Sequence, residues 1–154
     1  MNQTKLIESA KRVADSYAKI ANKILGTNLS IPVDISFDLH KTEPKATGFA
    51  KSENKKHSIE INMVLFEDNI DYFLNDTIPH EIGHLCQYDK FDDKGKSVQG
   101  HGAEWRDIMK RLGKLPNKHH TLDLSRSIKL FKEHKKLQKS FNSNKEFISD
   151  VNVL

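Results

Sequence analysis

His80 and His84 stand four residues apart, with Glu81 directly after the first, in the string His80-Glu81-Ile82-Gly83-His84. Residues at that spacing share a face only on a helix, so two imidazoles can reach one ion. Ile78, Ile82 and Leu85 flank them at helical period, which predicts a helix with one side buried. Neutral imidazole suits zinc at about 2.0–2.1 Å. Glu81 faces the same side obliquely, placed to touch water at such an ion without binding it. Zinc lowers the pKa of bound water towards ~7, and a nearby carboxylate takes the proton as that water attacks a carbonyl. The pattern therefore points to a hydrolytic centre, with His80 and His84 as ligands and Glu81 as general base. A chance match is conceivable in a chain with 8 His, but a random surface string needs no apolar flanks.

Two imidazoles alone make a weak site, so a third protein ligand is required. An extended H-E-x-x-H-x-x-G-x-x-H string would need Gly and His where the chain has Gln87 and Lys90, which removes that pattern. His101 and Glu104 lie 17 and 20 residues beyond His84. They head a further helical face made by Ala103, Trp105, Ile108, Met109 and Leu112. Both side chains bind zinc, and residue chemistry leaves the choice open.

The rest of the chain reads as α+β. Leu6, Ile7, Ala10, Val13, Ala14, Tyr17, Ala18, Ile20, Ala21, Ile24 and Leu25 predict an amphipathic helix over 4–25, closed by Gly26. Val33, Ile35, Phe37 and Leu39 alternate with polar residues, as do residues 58–63, and 49–51 is a short third candidate. Two or three antiparallel strands are the simplest expectation. Pro79 implies either a kinked helix or a fresh helix start. Residues 89–100 read as a polar loop, and 128–141 as one more helix followed by a frayed end.

A length of 154 residues fits one domain. One Cys excludes an internal disulfide. No apolar run approaches the roughly 18 residues of a membrane span, and the first residues lack a secretory apolar segment. A reducing cytoplasm is the expected location. Cys86 is two residues past His84, off the imidazole face, and is expected to be a buried structural Cys. The net charge of +4 is concentrated after residue 113, where nine Lys+Arg face four Asp+Glu.

His80-Glu81-x-x-His84, a polar connection, His101-Gly102-x-Glu104-Trp105, then Met109 and Leu112-Gly113 resemble the SprT-like (SprT/Spartan-type) family of zinc metallopeptidases. The likeness is clearest from Pro79 to Gly113 and extends loosely to the preceding strands and to His120-Thr121-Leu122. It implies a zincin-like core: a leading helix on a small antiparallel sheet, then the motif helix and a ligand-bearing helix. It also implies Zn2+ held by His80, His84 and His101, with Glu81 catalytic and Glu104 behind the ligands or in place of one. A protein or peptide substrate follows, including DNA-associated proteins. The family's four-Cys zinc ribbon is expected to be missing here, since Cys86 stands alone. The expected division is a SprT-like domain over 1–125 and a basic amphipathic helix and tail over 126–154.

His120 and Tyr88 are candidates to contact the substrate or the transition state. The plainer readings are a polar turn for His120 and packing under the site for Tyr88. Trp105 is expected in the core. Lys129, Lys132, Lys136 and Lys139 are interleaved with Leu130, Phe131, Leu137 and Phe141. They read either as the solvated side of a helix packed on the domain or as a surface contacting nucleic-acid phosphates without base readout. A membrane-surface role lacks the expected Trp- and Leu-rich face. The rival reading of the whole chain is a nucleic-acid-binding or accessory module with a structural metal closed by a fourth protein ligand, Glu104 or His120.

Overall fold

The computed structural model describes residues 2–91, 100–117 and 120–153, with side chains as far as residue 144. Helix α1 (Gln3–Ile24) is capped by Asn2, whose side chain accepts from the Lys5 N–H. Leu6, Ala10, Ala14, Ala18 and Ala21 form its buried stripe. Four alanines there let a neighbouring backbone come close, and α4 (Ile78–Phe91) packs against this helix. Ile20 and Ile24 fall outside the stripe and are 44% and 41% exposed. Gly26 takes φ +70°, the left-handed C-terminal conformation its position predicts. Lys90 Nζ donates to the Leu25 carbonyl and Arg111 to that of Ile24. Carbonyls left over at the end of α1 thus tie down both helices that carry the site.

The sheet corrects the antiparallel expectation. Strands β1 (Asp34–Ser36), β2 (Gly48–Glu53) and β3 (Lys56–Ile61) lie in the order β1-β3-β2. β2 and β3 form an antiparallel hairpin, whereas β1 runs parallel to β3. Alternation assigns the faces of a strand but not its direction. The hairpin turn at Asn54-Lys55 has positive φ at both residues, as a two-residue turn of the twist-matched type requires. The expected strand over 33–39 is shorter, because a 3-10 turn begins at Leu39 (Leu39–Lys41). β2 is left at the edge of the sheet.

A short helix the periodicity did not separate from the strand, α2 (Met63–Asp68), follows β3. Asn62 is fully buried. Its side-chain oxygen accepts from Leu65 N, and its amide donates to the Pro44 and Ala46 carbonyls and to Ser127 Oγ. One residue therefore caps α2 and anchors the start of the last helix. α3 (Ile70–Tyr72) passes into a π-helical turn (Phe73–Thr77) and then directly into α4.

Helix α5 (Ala103–Arg111) crosses α4, with Trp105, Ile108 and Met109 buried. Helix α6 (Ser125–Val153) continues through the stretch expected to fray. Its first turn is fixed by Ser127, whose hydroxyl donates to the Pro44 carbonyl, and by Arg126, paired with Asp68 and Glu67. Farther along, Leu137 and Phe141 are 70% and 66% exposed. Ile128 and Phe131 are half-buried, but beyond them the apolar side of α6 does not pack on the domain, which corrects the plainer reading for that part of the segment. Among the described residues no helix is long and apolar enough to cross a membrane.

Candidate metal centre

The π turn explains how Pro79 is accommodated. Ile78 N–H reaches back to the Phe73 carbonyl, one residue farther than an α-turn does. A wider turn ahead of the proline absorbs a ring that would otherwise clash and replaces the α-bond it cannot make. The helix therefore neither restarts nor is capped there, and His80, Glu81 and His84 sit in its first turns.

Gly83 sits between the two histidine turns with α5 directly against it. A Cβ there would meet Met109 Sδ at 2.6 Å and Trp105 Nε1 at 3.0 Å. Trp105 is fully buried and donates from Nε1 to the His80 carbonyl at 3.3 Å. Its ring stacks on His84, with centroids 5.4 Å apart at 18°. It is the core residue the sequence indicated, and it is also the floor of the histidine cluster.

His101, just ahead of α5, completes the cluster. The Nε2 atoms of His80 and His84 are 3.2 Å apart, those of His84 and His101 3.2 Å, and those of His101 and His80 3.0 Å. Donors set tetrahedrally around zinc lie about 3.3–3.4 Å apart, so the triangle matches one ion. Two far ring nitrogens face oxygen: His80 Nδ1 donates to the Asn117 carbonyl and His84 Nδ1 to Gln87 Oε1, each at 3.2 Å. Those bonds place the proton on Nδ1 and turn the Nε2 lone pairs inward. Lone pairs converging this closely repel unless a cation lies among them, so the residues fit a metal.

Burial pulls His80 down to about 3, helped by His84 and His101, and pulls His84 down to about 4. The imidazoles are thus held neutral, the form that binds metal. Glu81 is 5% exposed, and burial pushes its carboxyl up to about 8. Its Oε1 lies 3.9 Å from His80 Nε2. Gly48 of β2 lies against it, where a Cβ would stand 3.1 Å from Glu81 Cγ.

Among the described residues, one group of potential ligands is close enough to share an ion: His80, His84 and His101. Glu104 is exposed in the first turn of α5 and is not in that group. A cavity of about 450 Å³ opens over the cluster, walled by Thr47–Ala50, Asp76, Tyr88 and His120 among others. Tyr88 lies parallel to His84, with centroids 6.4 Å apart. His120 Nδ1 accepts from Leu122 N while its ring lines the cavity. Cys86 is buried on the opposite side, its thiol pushed up to about 12 by burial. Lys129, Lys132, Lys136 and Lys139 are exposed on α6 and do not line the cavity. Residues 92–99 of the expected loop, with His119, lie outside the described residues.

Sequence reasoning missed Gln87, the Asn117 carbonyl and the Gly48 approach. The signal for Gln87 was present, since a residue three after His84 lies over the same face.

Residues 14–128 match the SprT-like family. The chain belongs to the SprT-like family. Protein SprT of Vibrio atlanticus is 33% identical over 87 residues, 56% of this chain and 49% of the relative. Protein SprT of Yersinia pseudotuberculosis is 32% identical over 100 residues, 65% of this chain and 53% of the relative. Protein SprT of Pseudomonas entomophila is 37% identical over 71 residues, 46% and 42% of the two chains. The alignments thus span about half the length of these SprT proteins. No solved structure matches significantly. The SprT-like match covers the sheet, α4 and α5 and ends at Ile128, just inside α6.

Proposed function

We propose that this SprT-like chain is a zinc-dependent metalloendopeptidase with a zincin-like core. The observation that carries the reading is the convergence of three inward-facing Nε2 atoms beside a buried carboxylate that is not a member of the ligand group. His80, His84 and His101 would hold the ion. When bound, zinc supplies a Lewis acid that brings water towards a pKa of ~7 and polarises a carbonyl. Glu81 takes the proton from the attacking water and returns it to the leaving amine. Its burial raises proton affinity, and a nearby dication would lower it, so the carboxyl can both accept and release near neutral pH. Three protein ligands leave a position for water and substrate, which separates a catalytic from a structural site.

The edge of β2 would bind the substrate. It offers main-chain N–H and C=O groups beside Glu81, and an extended peptide can add to them as a further strand. Such pairing takes any sequence, which suits an enzyme acting on varied or unfolded proteins. His120 and Tyr88 would donate to the carbonyl oxygen as charge develops there. The exposed α6 lysines Lys129, Lys132, Lys136 and Lys139 would hold nucleic-acid phosphates without reading bases, directing cleavage to DNA-associated proteins. A single Cys suits a reducing cytoplasmic location.

The test is Glu81→Gln. Zinc content should match wild type while cleavage of casein, with and without single-stranded DNA, falls at least ~100-fold, the scale of general-base catalysis. Equal cleavage by the variant would remove Glu81 from the chemistry. Absence of zinc-dependent cleavage by wild type under both conditions would overturn the peptidase reading.

A further inference from the structure

A second, smaller cavity shares a wall with the metal cleft. It holds about 300 Å³ and lies where the end of α4, the β2–β3 hairpin and the segment after α1 meet. Ser52 and His57, cross-strand partners, form one side, and Ser30 and Asp89 the others. Tyr88 lines both cavities, so the recess adjoins the metal cleft at this residue. Asp89 supplies its fixed charge. The carboxylate is largely buried; Oδ2 accepts from Asn28 N at 3.0 Å and Oδ1 faces His57 Nε2 at 3.6 Å. Asp89 also lies in the last turn of α4, at the negative end of the helix dipole. Lys55, exposed on the hairpin turn, also lines the recess and adds a positive charge to it.

The spacing connects this recess to the proposed chemistry. Gly48, Ala50 and Ser52 share one face of β2, and Gly48 abuts Glu81. From Gly48 to Ser52 is about 13 Å along the strand, and from Glu81 to Asp89 about 12 Å along the helix. β2 and α4 thus lead from the metal centre to the recess over matching distances. In a strand added to β2, the residue opposite Ser52 has its side chain on the Ser52 face. Only a long side chain would pass Tyr88, and the recess offers a carboxylate and hydroxyl oxygens to meet it.

Resting on the peptidase reading, we propose that this recess is a specificity subsite for a lysine or arginine side chain of the substrate, centred on Asp89. The basic residue lies roughly two to four positions from the scissile bond. Asp89 accepts from the ammonium or guanidinium, Ser30 and Ser52 hydroxyls accept further N–H groups, and Tyr88 packs along the apolar stem.

The experiment uses the zinc-loaded full chain and fluorogenic peptides that carry one lysine, moved position by position, each matched to its norleucine counterpart. Wild type should prefer lysine in kcat/KM by roughly tenfold at one position in that window, the scale of one hydrogen bond to a charged group. Asp89→Asn, which keeps an acceptor for Asn28 N, should bring the ratio to within about twofold of unity. Ser52→Lys, which leaves Asp89 and its partners in place, should push the ratio below one. Peptide binding to zinc-loaded Glu81→Gln, read by fluorescence anisotropy with and without Asp89→Asn, separates the two claims. A lysine preference in binding without any cleavage keeps the subsite and defeats the peptidase reading. Cleavage without lysine preference, a preference indifferent to both substitutions, or no peptide binding overturns the subsite.

Discussion

Glu81 and the imidazoles beside it carry opposed pH dependences. In the metal-stripped protein the Glu81 carboxyl sits at about 8 against an ordinary 4.5. Its raised value contributes stability that is complete below 4.5 and disappears as pH rises through 8. His80 and His84 sit at about 3 and about 4 against 6.5. Their depressed values contribute stability that is complete above 6.5 and is lost as pH falls. Each group is worth up to about 1.4 kcal/mol per pH unit within its window. Urea denaturation of Glu81→Gln against wild type, both metal-free, should show the variant gaining relative stability steadily from pH 5 to 8. A flat difference would mean that the carboxyl is not held protonated by burial. Gln87 is the second residue-scale test. Gln87→Leu leaves His84 Nδ1 without its acceptor and should weaken zinc binding about 10–100-fold in a chelator competition. Gln87 was hidden because the sequence marked it only as the residue where a longer histidine motif fails.

Helix α4 shows what was readable at the scale of elements. The four-residue histidine spacing and its apolar flanks fix a buried helix, because both follow from a 3.6-residue period. The π turn ahead of Pro79 was not readable, because proline reports a lost bond without saying which turn widens to replace it. Strand faces followed from alternation, but the parallel β1–β3 pairing depends on where the chain crosses, which no local pattern records. Asn62 carried a capping signal for α2, masked by the apolar run Met63-Val64-Leu65-Phe66 that prolongs the strand pattern. The contact between α4 and α5 makes Gly83→Ala a test of the element pair. Alanine favours a helix over glycine by about 1 kcal/mol, whereas overpacking against Met109 and Trp105 costs about 1–3 kcal/mol. A net loss of stability of up to ~2 kcal/mol is expected in denaturant, accompanied by weaker zinc binding as Trp105 is pushed from the His80 carbonyl. A gain in stability would mean that the helices are not in contact there.

For the whole molecule, the decisive juxtaposition is His101 against His84, 17 residues earlier on α4. Chemistry and spacing left His101 and Glu104 open, and family resemblance favoured His101. The fold separates them by aiming His101 at the pair and leaving Glu104 exposed. On the proposed reading, a ligand set drawn from α4 and from the residue just ahead of α5 would make metal binding a clasp between the two. An ion that binds only the folded chain adds about 2.7 kcal/mol at a hundredfold excess over Kd. Zinc should therefore raise the melting temperature of wild type, a chelator should reverse it, and His101→Ala should lose most of the shift. The basic end of the chain belongs to the same scale. Its charge was plain in the sequence, but the exposure of Leu137 and Phe141 followed only from seeing α6 anchored near its start.

The most direct measurement is the anomalous zinc signal in crystals of the zinc-loaded chain. The expected result is one ion about 2.0–2.1 Å from Nε2 of His80, His84 and His101, with solvent in the position facing the cavity. An ion held elsewhere, or one whose fourth position is closed by Glu104 or His120, would contradict a catalytic zinc centre.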